Sequence, residues 1–365
     1  MLYFVILTQK CNLRCTYCGY GEDDDESTPS EVNYTVEDLR KFIMQDPEAS
    51  IIFYGGEPLL RLPLMQTIMN SIHAKRYMLQ TNAFGLENLK TEYLRRFDAI
   101  LVSIDGRKET TDYYRGNGAY DKITGNLKLA RKRGYSGDLI ARMTVSERTD
   151  IFLDVMHLLE LKDPKFDHVH WQLDALWDYP PEVRWRDFKK WMTDSYCPGI
   201  VKLARTWGDT IYVEKKVLPI VPFMGVLWTI LNDGKVGLRC GSGIGSFAVT
   251  TSGVITVCPI APEWEFAKVG DIFQSRPQDL PGKVVVGTPC TECDTSDICG
   301  GRCLFTNKTK LWGETGFGEV CKPTKIMINE LAKLKTKIIE MIIEKKASRE
   351  DFNYPTFNNG LEIIP

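Results

Sequence analysis

The spacing of its cysteines constrains this chain more than any other feature. Eleven occur in 365 residues: Cys11, Cys15 and Cys18 within eight positions, Cys197 alone, and seven between Cys240 and Cys321. Positions 19 to 196 hold none. An odd count in a long chain is a poor disulfide framework. Two dense groups around an empty middle describe metal sites set on a larger scaffold.

Composition narrows the classes further. The N-terminus MLYFVILTQ lacks the basic start and small-residue cleavage site of a signal peptide. No run of about 18 apolar residues reads as a membrane span. With 46 basic against 48 acidic residues the formal charge is −2, which gives no field for extended nucleic-acid binding. A cytoplasmic protein with neither nucleic-acid nor membrane partners is expected.

The empty middle reads as alternating strand and helix. Strand-like runs fall at Leu2–Leu7, Ser50–Tyr54, Tyr77–Gln80, Ala99–Ile104, Leu139–Thr144 and His168–Leu173. Helical segments lie between them at Thr35–Met44, Leu64–Ala74, Leu86–Phe97, Ala119–Arg133 and Ile151–Leu161. Six strands separated by helices predict an α/β fold with a parallel sheet and crossover helices. Chemistry in such folds belongs at the C-terminal strand ends. The first cysteines, Gly55-Gly56-Glu57-Pro58, Thr81-Asn82 and Ser103–Asp105 all follow or end predicted strands, so four motifs converge on one rim.

Past residue 178 the pattern changes. A Pro- and Trp-rich stretch from Trp177 to Trp207 leads to VLPIVPFMGVLWTIL at 217–231, read as buried core, with channel lining the alternative. From Cys240 the chain is Gly- and Cys-rich with short strands, as expected where metal substitutes for a large core. Ile326–Ile343 has the period of a closing helix.

The chemistry starts with Cys11-x3-Cys15-x2-Cys18. A four-iron cube takes four thiolates, so three leave one iron open to an outside ligand. A zinc loop is the plainer alternative, but it also needs a fourth ligand and no histidine is near. Cys11-Asn12-Leu13-Arg14-Cys15-Thr16-Tyr17-Cys18 resembles the signature of the radical S-adenosylmethionine (SAM) enzymes. Gly55-Gly56-Glu57-Pro58 resembles their second motif. The resemblance implies a partial (β/α)6 TIM-like barrel in which SAM chelates the open iron. It also implies that Gly55 through Pro58 contact the methionine amino group and that Tyr17 lies near the adenine. Ser103-Ile104-Asp105-Gly106 is similar to a family strand-end motif near the SAM ribose and carboxylate. Arg115 is similar to a recurrent arginine of one subgroup. Asn82 falls in Thr81-Asn82-Ala83, where the family usually has Thr-Asn-Gly, and Thr111 stands where a histidine often precedes the aspartate. Arg142 on the fifth strand is a candidate for the SAM carboxylate, with a structural ion pair the alternative.

The seven C-terminal cysteines resemble the signature of the SPASM domain, which carries two auxiliary [4Fe–4S] clusters. They run Cys240, Gly253-x4-Cys258, Cys290-x2-Cys293-x5-Cys299-x3-Cys303 and Cys321. Soft thiolates suit iron–sulfur clusters, and zinc is the alternative for CxxC spacing. By resemblance, auxiliary cluster I takes Cys240, Cys258 and Cys303, and auxiliary cluster II takes Cys290, Cys293, Cys299 and Cys321. Some relatives complete cluster I with a cysteine six residues after the first, where this chain has Ser246. That leaves an open iron, a non-cysteine ligand or Cys197. The domains implied are a barrel over 1–178, a linking segment over 179–239, the SPASM domain over 240–322, and a C-terminal helix and tail over 323–365.

Other features say less. Glu22 to Glu26 is an acidic run, read as a solvated surface. Arg131-Lys132-Arg133 reads as a basic helix end. His168, His170, Gln172 and Asp174 alternate along one side of a strand, and Asp174 is the candidate catalytic residue. The family implies a peptide-modifying enzyme: reductive cleavage of SAM, then hydrogen abstraction from a residue of a ribosomally made precursor peptide. It implies three [4Fe–4S] clusters, SAM, and a low-potential electron donor such as flavodoxin or ferredoxin. Action on a small molecule is one alternative. Another is anaerobic sulfatase maturation, but those enzymes carry aspartate after the second SPASM cysteine, where this chain has Pro259. A pure electron carrier would not need the α/β scaffold. With ten residues ahead of Cys11, no N-terminal leader-binding domain is expected.

Overall fold

A computed structural model describes residues 1–18, 29–174 and 185–354. The acidic run Glu22–Glu26 and part of the Trp177–Trp207 stretch lie outside those residues. Nine strands lie along the chain: β1 (Leu2–Ile6), β2 (Ser50–Tyr54), β3 (Arg76–Thr81), β4 (Ala99–Ser103), β5 (Asp138–Val145), β6 (His168–Leu173), β7 (Ser246–Val249), β8 (Val254–Thr256) and β9 (Lys268–Asp271). The fold is mixed α/β with a parallel sheet and a C-terminal helical region, as the alternation predicts. It divides into two compact units.

The first unit comprises Met1–Ile104, Thr111–Ile140 and Gly241–Val285. Its strands run in the order β4-β3-β2-β1-β7-β8-β9. Pairing is parallel from β4 through β1 and on to β7, then antiparallel to β8 and β9. β1 and β2 are apolar and buried along almost their whole length, as strands covered on both faces must be. Residues just past Cys240 thus extend the sheet beyond β1, with Leu2 opposite Ser246.

One expected helix of this unit is absent. Leu86–Phe97 forms a single 3-10 turn at Leu86–Asn88 and one helical turn at Thr91–Leu94. The Arg133 guanidinium takes the carbonyls of Leu86, Glu87 and Leu89, which a continuous helix would need for its own ladder. Arg131 likewise donates to the carbonyls of Tyr135 and Gly137. The basic helix end is therefore a clamp on carbonyls.

The second unit comprises Asp105–Thr110, Ala141–Cys240 and Val286–Pro365. The helix Val221–Leu231 is buried nearly all round, which settles the 217–231 stretch as core. Trp207 packs edge-on against Phe223 and Phe352, and its indole N–H donates to the Leu218 carbonyl at 2.8 Å. The expected closing helix Ile326–Ile343 is two helices, Gly313–Ala332 and Lys335–Ile343. The first begins earlier than its apolar period shows and carries Cys321 and Pro323. Among the described residues no helix is long and apolar enough to cross a membrane.

Replacing Trp207 by alanine empties the centre of this second core and strands the Leu218 carbonyl. Equilibrium denaturation should register a loss of about 3–5 kcal/mol, with Trp207→Phe costing less.

Candidate active site and cysteine centres

In the first unit the loop after β1 and the turn after β2 are built as one piece. Gly56 N–H donates to the Thr8 carbonyl and Glu57 N–H to the Lys10 carbonyl, both at 2.9 Å. A Cβ on Gly55 would sit 2.3 Å from the Thr8 oxygen, and one on Gly56 2.3 Å from the Lys10 oxygen. Gly55 also has φ +132°, a conformation side chains disfavour. Both glycines are therefore required by the approach of the cysteine loop. Pro58 follows at the start of a 3-10 turn capped by the Glu57 side chain.

Glu57 is buried and accepts three hydrogen bonds: Leu59 N–H at 2.9 Å, Thr81 Oγ1 at 2.7 Å and Asn82 N–H at 2.8 Å. Burial pushes its pKa up to about 7, against the pull of those donors. Asn82 in turn donates from Nδ2 to Asn12 Oδ1 at 2.8 Å and to Cys11 Sγ at 3.8 Å. Ala83 adopts φ +63°, which explains why glycine is usual there. On the other side of the loop, Thr16 N–H donates to the Tyr114 carbonyl at 3.0 Å. The Arg115 guanidinium lies 5.5 Å from the Tyr17 ring centre, with Nη1 4.0 Å from Cys15 Sγ. Cys11, Cys15, Cys18, Tyr17, Glu57, Asn82 and Arg115 are thus gathered in one locality.

The donor set of this loop fits an iron–sulfur cluster. Leu13 N–H (3.4 Å) and Asn82 point at Cys11 Sγ, as hydrogen-bond donors to a thiolate do. Burial pushes the Cys11 thiol up and the charges of Glu57 and Cys18 add to it, against the backbone N–H groups of Leu13 and Asn12, so a bound cation would favour the thiolate further. Among the described residues no three His, Cys, Asp or Glu side chains are gathered at single-ion spacing.

Ser103 ends β4, half-buried, in the first unit. In the second unit Asp105 is buried and accepts Thr144 N–H at 3.0 Å. Asp154, which the sequence did not single out, fixes the loop that follows. It accepts from Arg107 N–H and Nε, both at 2.9 Å, from Thr110 Oγ1 at 3.1 Å and from Asp150 N–H at 3.0 Å. A Cβ on Gly106 would meet the Asp154 Cβ at 2.3 Å. Arg142 is half-buried on β5. Asp174 is buried just past β6, its N–H on the Val145 carbonyl at 2.7 Å and its carboxylate accepting from Ser146 Oγ at 3.1 Å.

Cys290, Cys293, Cys299 and Cys321 form a second centre within this unit. Burial pushes the thiols of Cys290, Cys299 and Cys321 up, and each also feels the charge of other members of the four. Asn307 Nδ2 donates to Cys290 Sγ at 3.5 Å, and the N–H groups of Gly301 and Arg302 serve Cys299. Four mutually repelling, half-buried sulfurs ringed by N–H donors fit a cluster that takes their charge. Cys258 lies in the first unit, Cys240 and Cys303 in the second, and Ser246 is buried at the start of β7. Cys197 opens a separate cavity of about 630 Å³. Burial pushes its thiol up to about 11, and its charged neighbours are Lys322 and Glu319.

Residues 5–159 match the family model of the Radical SAM superfamily. Over 349 residues the chain is 24% identical to the cysteine-type anaerobic sulfatase-maturating enzyme of Clostridium perfringens, covering 86% of this chain and 91% of that one. It is 32% identical over 165 residues to pre-heme d1 synthase of Dinoroseobacter shibae, covering 43% of this chain. The chain spans only 39% of that relative's length. Among solved structures it resembles native anSMEcpe with bound AdoMet and Cp18Cys peptide, with a TM-score of 0.68 at 18% identity over 92% of this chain and 99% of that one. It also resembles Streptococcus suis SuiB bound to precursor peptide SuiA, with a TM-score of 0.57 at 14% identity over 84% and 72%. At these identities the likeness is one of fold.

The raised pKa of Glu57 makes a signed prediction. The native state keeps this proton at pH values where an unfolded glutamate has lost it, so the contribution is full below about pH 4.5 and lost as pH rises through 7. Unfolding free energy should fall by about 3 kcal/mol between pH 4.5 and 8, and Glu57→Gln should flatten that slope.

Proposed function

For a chain whose residues 5–159 match the family model of the Radical SAM superfamily, we propose a peptide-modifying reaction on a precursor peptide. On this reading the chain is a SPASM-type enzyme, and the superfamily match implies a [4Fe–4S] cluster and SAM. The observation that carries the reading is the single locality formed by the three-cysteine loop, the buried Glu57 turn, Asn82 and Arg115. Bound there, a cluster and SAM would supply the radical chemistry that takes hydrogen from an unactivated carbon.

The residues of the chain do the holding. Cys11, Cys15 and Cys18 would ligate three irons, and Asn82, Leu13 and Arg115 would steady their sulfurs. Glu57, its carboxylate spent on three internal donors, fixes the turn that would hold the methionine amino group of SAM. Tyr17, under the Arg115 guanidinium and beside Tyr114, offers a ring face for the adenine. Asp105, accepting from Thr144 N–H, anchors the strand-end loop that would serve the ribose. Cys290, Cys293, Cys299 and Cys321 would hold one auxiliary cluster, and Cys240, Cys258 and Cys303 a second.

A peptide substrate is supported by the two fold relatives solved with peptides bound. The match along nearly the whole Clostridium perfringens enzyme favours a second reading, sulfatase maturation. Pro259 is buried where those enzymes place a catalytic aspartate, and it has no proton to accept. Asp174 is the remaining buried carboxylate proposed for proton transfer, through Ser146.

Iron and labile sulfide after anaerobic reconstitution should number about twelve each per chain, falling to about eight in a Cys11/Cys15/Cys18→Ala variant. With SAM, a reductant and the short peptides encoded beside its gene, mass spectrometry should show a mass change or deuterium uptake in one of them. Formylglycine made in a sulfatase peptide instead would transfer the assignment to the second reading.

A further inference from the structure

We propose that Arg239 is the built-in counter-charge of the site formed by Cys290, Cys293, Cys299 and Cys321, and that it raises the reduction potential of the cluster held there. The inference rests on reading those four cysteines as cluster ligands. Arg239 is half-buried, and its guanidinium is spent on neutral acceptors. Nε and Nη2 donate to the Ile298 carbonyl at 3.0 and 2.5 Å, Nη1 to the Gly225 carbonyl at 3.0 Å, and Nη2 to Thr229 Oγ1 at 2.9 Å. Among the described residues no carboxylate stands within ion-pair distance. A guanidinium remains charged at any pH the protein meets. Such a charge, half-buried and met by dipoles alone, lacks the opposite charge that buried ions normally find.

The anions in reach are two. Tyr354 is close, but burial pushes its phenol far above the physiological range, so it is neutral. The other is Cys299, the residue immediately after the carbonyl that Arg239 grips twice. Four thiolates around a [4Fe–4S]2+ core carry a net charge of −2, becoming −3 on reduction. A fixed positive charge in this half-buried setting therefore favours the reduced form. Two other cations face the same sulfurs. Lys325 pairs with Asp294 at 2.9 Å and also hydrogen-bonds Cys293, and Arg302 adds to the field from the loop that serves Cys299. Arg239 differs in its place along the chain. Its backbone runs directly into Cys240 while its side chain holds the chain at Ile298–Cys299, so one residue ties together the segments that bear both auxiliary ligand sets. It acts through the cluster and is a positioning residue.

The test uses the full chain with Cys11, Cys15 and Cys18 replaced by alanine, reconstituted anaerobically, with and without Arg239→Gln and Arg239→Lys. Iron and sulfide are counted first, then midpoint potentials are read by EPR-monitored redox titration. The relevant signal is the one that Cys293→Ala abolishes. Arg239→Gln should retain its iron and shift that reduction equilibrium at least tenfold toward the oxidised form, about 59 mV for one electron. Arg239→Lys, which keeps the charge, should recover most of the shift. Iron lost from Arg239→Gln but kept by Arg239→Lys at the parent potential would equally support the counter-charge. An unchanged midpoint in an iron-replete Arg239→Gln variant overturns the proposal. So does loss of iron from both variants, which would make Arg239 a folding residue. A parent that binds no C-terminal iron would show instead that the cluster reading has failed.

Discussion

The backbone of Gly55 and Gly56 lies so close to the carbonyls of Thr8, Gln9 and Lys10 that no side chain fits between them. Everything proposed for the N-terminal site depends on that contact. It joins the end of β2 to the loop that carries Cys11, and Glu57 extends the join to the end of β3 through Thr81 and Asn82. Asn82 closes the circuit by returning to Asn12 and Cys11. Three strand ends are held as one object before any ligand binds. Preorganisation of that kind is what a site must have if it is to orient a reactive species and keep water from it.

The same electrostatic logic recurs at the two cysteine centres. Burial and neighbouring negative charge push the thiols upward, and N–H donors wait to receive the thiolates. Such sites are unstable as bare thiolates and stable once a cationic core takes the charge. The C-terminal centre adds cations of its own in Arg239, Arg302 and Lys325. At the N-terminal loop, Arg115 approaches Cys15 and Tyr17.

Much of this was legible in the sequence. The strands of the α/β part announce themselves because β1, β2 and β4 are nearly pure apolar runs with polar loops between them. The cysteine and GGEP motifs were readable because their glycines answer a steric demand of the backbone. What was not legible was long-range. β7 to β9 are three or four residues each, too short to show a period, and β7 pairs with β1 from more than 240 positions away. Leu86–Phe97 has helical composition, but Arg133 takes its carbonyls from a distant helix end. Asp154 and Arg239 look like ordinary surface charges until the loops they satisfy are folded against them. Such partners leave no mark on local sequence.

The most direct test of the central claim is anaerobic incubation of the reconstituted chain with SAM and dithionite, counting 5′-deoxyadenosine and methionine by chromatography. The arrangement of Cys11, Cys15, Cys18, Glu57 and Asn82 predicts the two products in equal amounts, and neither from the Cys11/Cys15/Cys18→Ala variant. A chain loaded with its full iron that leaves SAM intact would contradict the account.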